Sequence, residues 1–460
     1  MFLVALPVTS FPYLPAVLGG GAQVRPLSVY PLLLLIPLLT LPRLWRERWH
    51  ENFRPLVLFA LIAAAASAVS LLDGLATVRG VALGERTLRA LLTLGLGAAM
   101  YFTVSLLPRT RADLRFALRG LYAGLLLALL WGSLQAVYIL HFNEGWFEFL
   151  SGVQKFISSR KLFETRISGL TFEPNWFAEQ LVFLYLPWLL AALVTGWSAF
   201  RWRWRNLTVE MLLAPWLIAV LLLTFSRLGL LVLLPLAGVA ALLWGIRRAL
   251  RYGKIHWGRL TFQGAAITLG LLALLGIVGS QNNYFSRLWR YFQEDSNQSY
   301  LDYIAVGQRV VYWQTAYRMF EAHPLLGVGP GNYAFYFAEF VPLRSWHTQP
   351  EMLRQLTPEG SRNNLNTAKN FYVRLLAETG LLGFGAFLVF TLAVAGSALQ
   401  LARTPRLQAR FWGMGGLFAI LAFALSAFSF DSFALPNLWV VLGFITAAHA
   451  VLLPADRPLV

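Results

Sequence analysis

The sequence predicts an all-α polytopic integral membrane protein, on three observations. Hydrophobic residues make up 58% of the 460-residue chain and charged residues only 13%, whereas a soluble globular domain is about 25% charged. Mean hydropathy is +0.60, and about twelve apolar stretches approach the length that crosses a bilayer. Basic residues collect in alternate loops between these stretches, which is typical of membrane helices. We therefore expect a single membrane domain over residues 1–460.

The predicted spans follow the apolar runs in chain order. They are residues 2–19, 26–42, 55–72, 88–107, 116–140, 176–197, 207–225, 227–246, 261–279, 371–398, 411–430 and 437–453. The first is the least regular, because Pro7, Pro12 and Pro15 interrupt it. The polar break from Thr224 to Arg227 predicts a tight turn between the seventh and eighth spans.

Orientation follows from the basic loops. If all twelve spans cross, the loops at residues 43–54, 109–119, 201–205, 247–259 and 403–410 share one face with both termini. The positive-inside rule makes that face cytoplasmic, and we expect the membrane to be the inner (plasma) membrane. The net charge of +17 is then explained by loop placement, so we expect membrane lipids as partners and no nucleic acid.

The opposite face receives a large extracytoplasmic loop over residues 280–370. It has no long apolar run, and loops of this length are usually functional. Apolar residues at helical spacing predict a helix from Gln308 to Ala322 that ends at His323 and Pro324. A turn-rich segment follows with no helix opening cleanly behind it, and it contains Gly327, Gly329 and Gly331. On the same face, residues 141–175 contain a pattern that predicts an amphipathic helix on the membrane surface.

Three arginines lie on this extracytoplasmic face, each where a loop meets a span or helix: Arg166, Arg227 and Arg309. Taken singly, Arg166 is explained by snorkelling at the interface and Arg309 by a solvated helix surface. Arg227 is harder to explain, since a cation at a helix N-terminus is unfavourable for the helix dipole. Together they have the chemistry that a diphosphate needs, because guanidinium groups form bidentate bonds to phosphate oxygens and keep their charge.

No metal or cofactor is expected. The chain has no cysteine, which excludes thiolate metal sites, disulfides and a cysteine nucleophile. No acidic cluster of the DxD kind stands on the extracytoplasmic face. The three loop glycines lack the strand that a nucleotide-binding turn requires in front of them.

Lys369 and Asn370 stand where the large loop re-enters the membrane. Lys369 is interpreted either as an interfacial anchor or as a site residue. Glu173 and His347 are weaker candidate bases. His323 is expected to end a helix and is a further candidate site residue, as is Asn370.

Several motifs together resemble the O-antigen ligase and Wzy-type polymerase superfamily. They are RISGLTFEPN (166–175), FSRLG (225–229), the run from Arg309 to HPLLGVGPGNY at 323–333, and AKNFYVRLLAETGLLG (368–383). The resemblance implies a membrane glycosyltransferase that moves a glycan from polyprenyl (undecaprenyl) diphosphate to an acceptor hydroxyl on the extracytoplasmic face. It further implies a metal-independent reaction, inversion at the anomeric carbon, and a glycan or lipid-linked acceptor.

Residue by residue, the resemblance assigns Arg166, Arg227 and Arg309 to the donor diphosphate. Ligases of this family usually carry His-Asn where this chain has Lys369–Asn370. Lys369 would then be the base, or a further phosphate ligand beside Arg309. The missing histidine slightly favours a polymerase over a ligase.

Two other functions remain open. A transporter or permease for a small anion or solute would use the same arginines, but such proteins usually show repeats and broken spans, and no repeat is evident. A protein O-oligosaccharyltransferase would use the same donor with a peptide acceptor.

Overall fold

The computed structural model describes residues 1–13, 23–205, 207–252, 306–342 and 365–453, together with positions 258, 269–270, 273 and 276. This part of the chain is mostly helical, with one two-stranded hairpin. The helices are α1 Val29–Arg46, α2 Phe53–Ser70, α3 Leu83–Leu106, α4 Arg111–Leu140, α5 Glu144–Ile157, α6 Pro174–Thr195, α7 Val209–Leu222, α8 Arg227–Tyr252, α9 Gly307–Ala322, α10 Tyr333–Phe340, α11 Phe371–Arg403, α12 Leu407–Ser426 and α13 Pro436–Leu452. The hairpin pairs β1 Arg203–Trp204 with β2 Leu207–Thr208.

Within the described ranges, eight helices are long and apolar enough to cross a membrane: α1, α2, α3, α4, α6, α8, α11 and α12. Two more, α7 and α13, are apolar but shorter. Each of these ten helices overlaps one of the spans that hydropathy predicts. The chain is therefore a polytopic integral membrane protein, as expected.

The first predicted span is wrong in its described part. Residues 1–13 form turns instead of a helix, because Pro7 and Pro12 have no N–H to donate and disfavour helical geometry before them. The segment is nevertheless packed into the bundle. Leu6 is fully buried, and its carbonyl oxygen accepts a hydrogen bond of 3.0 Å from Gln180 Nε2 of α6. The predicted span at 261–279 lies almost entirely outside the described residues.

The tight turn expected between the seventh and eighth spans is confirmed. Residues 223–226 separate α7 from α8, and Phe225 adopts a positive φ of 48°. The expected amphipathic helix is present as α5, which Asn143 caps by accepting a hydrogen bond from Trp146 N. Phe149 and Phe156 are exposed on α5, and its position on a membrane surface remains a prediction.

Helix α6 forms the centre of the bundle. In its apolar window 94% of the residues are buried inside the protein, and it contacts α7, α8 and α12. Trp188 of α6 lies against Gly415 of α12, where an added Cβ would overlap the indole ring. A glycine at that position lets the two helices approach closely.

The described part of the large loop has its own apolar cluster. Helix α9 confirms the predicted helix, and it ends at His323 as expected. Its buried face packs with α10, the segment after α2 and the start of α11 through Val81, Val311, Tyr312, Met319, Val328, Tyr333 and Phe337. The three glycines after α9 all have positive φ, between 68° and 87°. The expectation that no helix follows them is wrong, because α10 begins at Tyr333.

Helix α11 is sharply bent at Gly380, whose φ of 60° and ψ of −166° are not helical. The rings of Phe371 and Phe387 have centroids 5.2 Å apart. Sixteen residues of straight helix would separate them by about 24 Å. The arm before Gly380 therefore folds back beside the arm that follows it.

The bend is closed by backbone hydrogen bonds to the HPLLGVG segment. Leu381 N and Leu382 N, which would bond residues 377 and 378 in an unbroken helix, donate to Pro324 O at 2.8 Å and Leu325 O at 3.2 Å. The released Ala377 O accepts from Val328 N at 2.9 Å. Buried backbone groups must find partners. The HPLLGVG and LLAETGLLG motifs supply those hydrogen-bond partners to each other.

We predict that Gly380→Ala destabilises the protein strongly. The substitution forces an L side chain into a backbone region that costs about 1–3 kcal/mol, and its Cβ would overlap the Leu325 carbonyl group. Thermal unfolding of the purified protein in detergent should show a Tm lowered by several degrees.

Gly385→Ala is the matched control on the same helix, since nothing lies within 4 Å of its added Cβ. It should leave Tm unchanged or slightly higher, because alanine favours helix over glycine by up to about 1 kcal/mol. Equal Tm values for the two variants would contradict the assigned bend.

Candidate functional site

Arg309 and Lys369 come together around Tyr312. Arg309 is near the start of α9, and Tyr312 follows three residues later, on the same side of the helix. The Lys369 Nζ lies 4.7 Å from the centroid of the buried Tyr312 ring. Two residues in the segment between α12 and α13 complete the group: Ser429 Oγ is 2.6 Å from Arg309 Nη1, and Asp431 Oδ2 accepts from Lys369 N at 2.8 Å. We call Arg309, Lys369, Ser429 and Asp431 the Arg309–Lys369 cluster.

Lys369 and Asn370 have different structural roles. Asn370 is the N-cap of α11, and its Oδ1 accepts hydrogen bonds from Tyr372 N and Val373 N at 3.0 and 3.4 Å. Lys369 has a positive φ of 50°, a strained conformation for a residue with a side chain. Strain of this kind persists where surrounding contacts fix it, here the cap and the Asp431 carboxylate.

A buried ion network extends the cluster along α11. Arg374 Nε lies 3.0 Å from Glu378 Oε1 one turn later. Arg374 Nη1 donates to the Asp431 carbonyl oxygen and lies 3.8 Å from its Oδ2. Arg86 of α3 is within electrostatic reach of Arg374, Glu378 and Asp431, and its Nε donates to Gly331 O at 3.0 Å. The glycine turn of the loop is thereby joined to the same network.

Among the residues that the structure describes, the charge of this region is positive. Four cations stand near two carboxylates, Glu378 and Asp431, and the cations are Arg86, Arg309, Lys369 and Arg374. An excess of buried or half-buried cations is electrostatically suited to an anionic ligand.

Tyr333 adds a neutral group beneath this network. Its hydroxyl donates to Tyr312 O at 2.8 Å, and burial raises the pKa of Tyr333 well above its usual value. The phenol therefore stays protonated at physiological pH and acts as a hydrogen-bond donor.

Arg166 and Arg227 meet at the turn between α7 and α8. Arg166 Nε donates to Thr224 O at 2.9 Å, and its Nη2 donates to Asn175 Oδ1 at 2.9 Å. Ile167 N also donates to Leu223 O at 3.1 Å. These bonds hold Arg166 on the turn that leads directly into Arg227, the first residue of α8.

Both arginine groups lie at one end of the bundle. Phe183 of α6 packs on Phe423, close to the C-terminal end of α12. Ala178, nearer the start of α6, lies against Gly229 at the start of α8. The N-termini of α6 and α8 therefore share an end with the α12 C-terminus, which leads to Ser429 and Asp431.

Three other candidates have different surroundings. Glu173 forms an ion pair of 2.8 Å with Arg160, directly before α6. His323 caps the end of α9, about 21 Å along the helix from Arg309, between the rings of Tyr336 and Phe340. His347 lies outside the described residues. A catalytic role for each remains a prediction.

Sequence reasoning did not select Ser429, Asp431, Arg374 or Glu378 as site residues. One signal was available: an arginine and a glutamate four residues apart at the start of an apolar span form a pair on one helix face. Asp431 is the acid of the short segment between the last two spans, but its approach to Lys369 across 62 residues depends on the fold.

The fold and the site define a polytopic membrane protein with a cationic cluster at one end of its helix bundle. A family model described as "O-Antigen ligase" matches residues 212–388, a stretch that contains Arg227, Arg309, Lys369 and Arg374. The resemblance that the motifs predicted is therefore confirmed. A search of curated proteins finds no match to the chain.

We predict that Glu378→Gln destabilises the fold by several kcal/mol, because it removes the nearer of the two carboxylates that offset the buried Arg374 charge and leaves Asp431 at 3.8 Å. Arg374 and Glu378 are only 14% and 6% exposed in their side chains. Chemical unfolding of a double-mutant cycle with Arg374→Met should give a coupling energy well above 1 kcal/mol.

The Glu85–Arg89 pair on α3 has the same four-residue spacing but side chains 43% and 53% exposed. Its cycle should give a coupling below about 1 kcal/mol. A coupling as small for Arg374 and Glu378 would show that their burial does not strengthen the pair.

Proposed function

We propose that the protein is a membrane glycosyltransferase that moves a glycan from a polyprenyl (undecaprenyl) diphosphate donor to an acceptor hydroxyl, as a surface polysaccharide polymerase or an O-antigen ligase. The observation that carries this proposal is the Arg309–Lys369 cluster, whose two cations lie within the stretch that matches the O-antigen ligase family. The reaction is placed on the extracytoplasmic side of the inner membrane, with the donor lipid against the spans.

The arginines are assigned to the donor diphosphate. Arg309 is near the start of α9, and Arg166 and Arg227 lie at the same end of the bundle. Guanidinium groups bind phosphate oxygens in pairs and cannot lose their charge. They would stabilise the leaving diphosphate, where negative charge develops in the transition state.

Lys369 is assigned to the same charge stabilisation. Its Nζ lies 4.7 Å from the centroid of the Tyr312 ring, and Arg309 lies on the same side of that helix three residues before Tyr312. This position beside Arg309 supports a phosphate-ligand role for Lys369 over the base role.

The bond changes are those of a single displacement. The acceptor oxygen forms a bond to the anomeric carbon from the side opposite the leaving group, the bond from that carbon to the diphosphate oxygen breaks, and configuration inverts. The hydroxyl proton passes to Asp431, whose side chain is 16% exposed and so remains open to solvent, and from there to water. Polyprenyl diphosphate leaves with the bonding electron pair.

The acceptor distinguishes the alternatives. A polymerase uses a growing lipid-linked glycan, a ligase uses a glycolipid, and a protein O-oligosaccharyltransferase uses a peptide hydroxyl. The usual family histidine is replaced by Lys369, which we take as favouring the polymerase. A permease for a small anion would also use a cationic cluster, and it is the alternative outside enzymes.

We predict that the purified protein transfers glycan from a polyprenyl-diphosphate oligosaccharide in the absence of ATP and in the presence of EDTA. A ladder of products at repeating sizes on a gel identifies a polymerase. A single shift that requires added glycolipid or peptide identifies a ligase or a protein glycosyltransferase. Arg309→Ala should lower the rate at least 100-fold, because one charge-assisted contact to the leaving group is lost.

Arg318→Ala is the matched control on the same helix, since Arg318 is exposed and contacts the Phe340 carbonyl oxygen near the far end of α9. It should keep full activity. Full activity of Arg309→Ala would contradict the assigned site. Solute uptake into liposomes without any glycan transfer would favour the permease. Loss of transfer on EDTA treatment would contradict a metal-independent mechanism.

We further predict that Lys369→Arg retains transfer within about tenfold of the natural protein, whereas Lys369→Ala loses most of it. Arginine keeps the positive charge but cannot act as a base near neutral pH. Rates of both variants in the same gel assay decide the role. If Lys369→Arg is as inactive as Lys369→Ala while Lys369→His is active, Lys369 is the base. The assignment of Asp431 as the proton acceptor would then be wrong.

A further inference from the structure

An exposed hairpin of alternating arginine and tryptophan lies at the opposite end of the bundle from the candidate site. Residues 201–205 read RWRWR, and all five are exposed. The hairpin connects α6 to α7, so it stands about 33 Å along α6 from the end that begins at Pro174.

Strand β1 contains one residue of each type. Arg203 pairs with Thr208 and Trp204 with Leu207 in the antiparallel hairpin. Side chains alternate between faces along a strand, so Arg203 and Trp204 point to opposite faces. The indoles are 49% and 59% exposed. The Arg205 guanidinium lies 5.6 Å from the Trp204 ring centroid.

The hairpin is fixed to the bundle by the segment before it. The buried Glu210 carboxylate accepts hydrogen bonds from Ser198 Oγ at 2.8 Å and Ala199 N at 2.9 Å. Arg119 Nε of α4 donates to Ala199 O at 2.8 Å, and Arg247 of α8 donates to Val194 O. Three helices therefore hold the base of the hairpin in place.

The segment that connects α6 to α7 contains no acidic side chain that could offset the charge of the hairpin arginines. Between Gly196 and Val209 the sequence has no aspartate or glutamate, and Glu210 is turned inward to Ser198 and Ala199. A second tryptophan–arginine pair lies on α8, where the Arg248 guanidinium is 5.3 Å from the Trp244 ring. Because neighbouring Arg247 touches α6, this pair extends the basic and aromatic surface.

We infer that this surface binds the headgroups of anionic phospholipids, with phosphatidylglycerol as the model ligand. The hairpin joins the ends of two apolar helices, which places it where the bilayer meets water. Tryptophan rings prefer that level of the membrane, and arginine forks bind phosphate oxygens. Anionic lipid supplies both the negative charge that the arginines attract and the apolar boundary that the tryptophans prefer.

The test compares two triple substitutions that each remove three exposed arginines. R201Q/R203Q/R205Q alters the hairpin. R403Q/R406Q/R410Q alters the loop between α11 and α12 and the two helix ends that flank it, and these three arginines are also exposed. Delipidated full-length protein in detergent is titrated with phosphatidylglycerol or with phosphatidylcholine of the same acyl chains. Bound lipid is counted by native mass spectrometry, and Tm confirms that both variants are folded.

The hairpin variant should bind phosphatidylglycerol at least tenfold more weakly, and W202A/W204A should also weaken it, while the loop variant changes less than twofold. Phosphatidylcholine binding should be the same in all proteins. Equal losses in the two triple variants would overturn the site, since the charged face as a whole would then attract the lipid. Displacement of phosphatidylglycerol by equimolar glycerol phosphate would show a site for free phosphate and would overturn the lipid assignment.

Discussion

The break in α11 at Gly380 is the constraint on which the rest of the site depends. Breaking the helix releases the N–H groups of Leu381 and Leu382, and the carbonyl groups of Pro324 and Leu325 satisfy them. A buried backbone group without a partner costs about as much as a lost hydrogen bond, so the loop and the span cannot separate cheaply. This pairing fixes the end of α9 against α11. Arg309, at the other end of α9, is thereby held close to Lys369, which directly precedes the cap of α11.

The candidate site lowers the stability of the fold, and several residues contribute to this effect. Lys369 has a left-handed backbone, and several like charges stand within electrostatic reach of one another. Glu378 and Asp431 offset part of that repulsion, but not all of it. An anion that binds there completes the neutralisation, so a ligand would contribute to stability as well as to function. Active sites commonly conflict with local rules of stability in this way.

Hydropathy located the ten apolar helices of the described ranges because bilayer thickness dictates their length. It failed for residues 2–13, whose apolar composition is equally compatible with buried turns. The three arginines were selected because charge is unusual where a loop meets a span. The family match includes Arg227 and Arg309 but not Arg166, and the role of all three stays a prediction. The sequence alone did not predict Asp431 and Ser429 as site residues. Their contacts with Lys369 and Arg309 span 62 and 120 residues, and no local pattern specifies such a pairing. The helix α10 was missed because its aromatic run begins directly after a glycine-rich turn.

The burial of α6 has a consequence for how the protein meets bilayers of different thickness. Helices in contact with lipid tilt or shift when the hydrocarbon layer thins or thickens. In α6 94% of the apolar window is enclosed by protein, compared with 17% in α1 and 33% in α2. Hydrophobic mismatch therefore acts on the peripheral helices first. The segment that leads into Pro174, with Arg166 and Glu173, is attached to this enclosed helix and is therefore less affected than the outer helices.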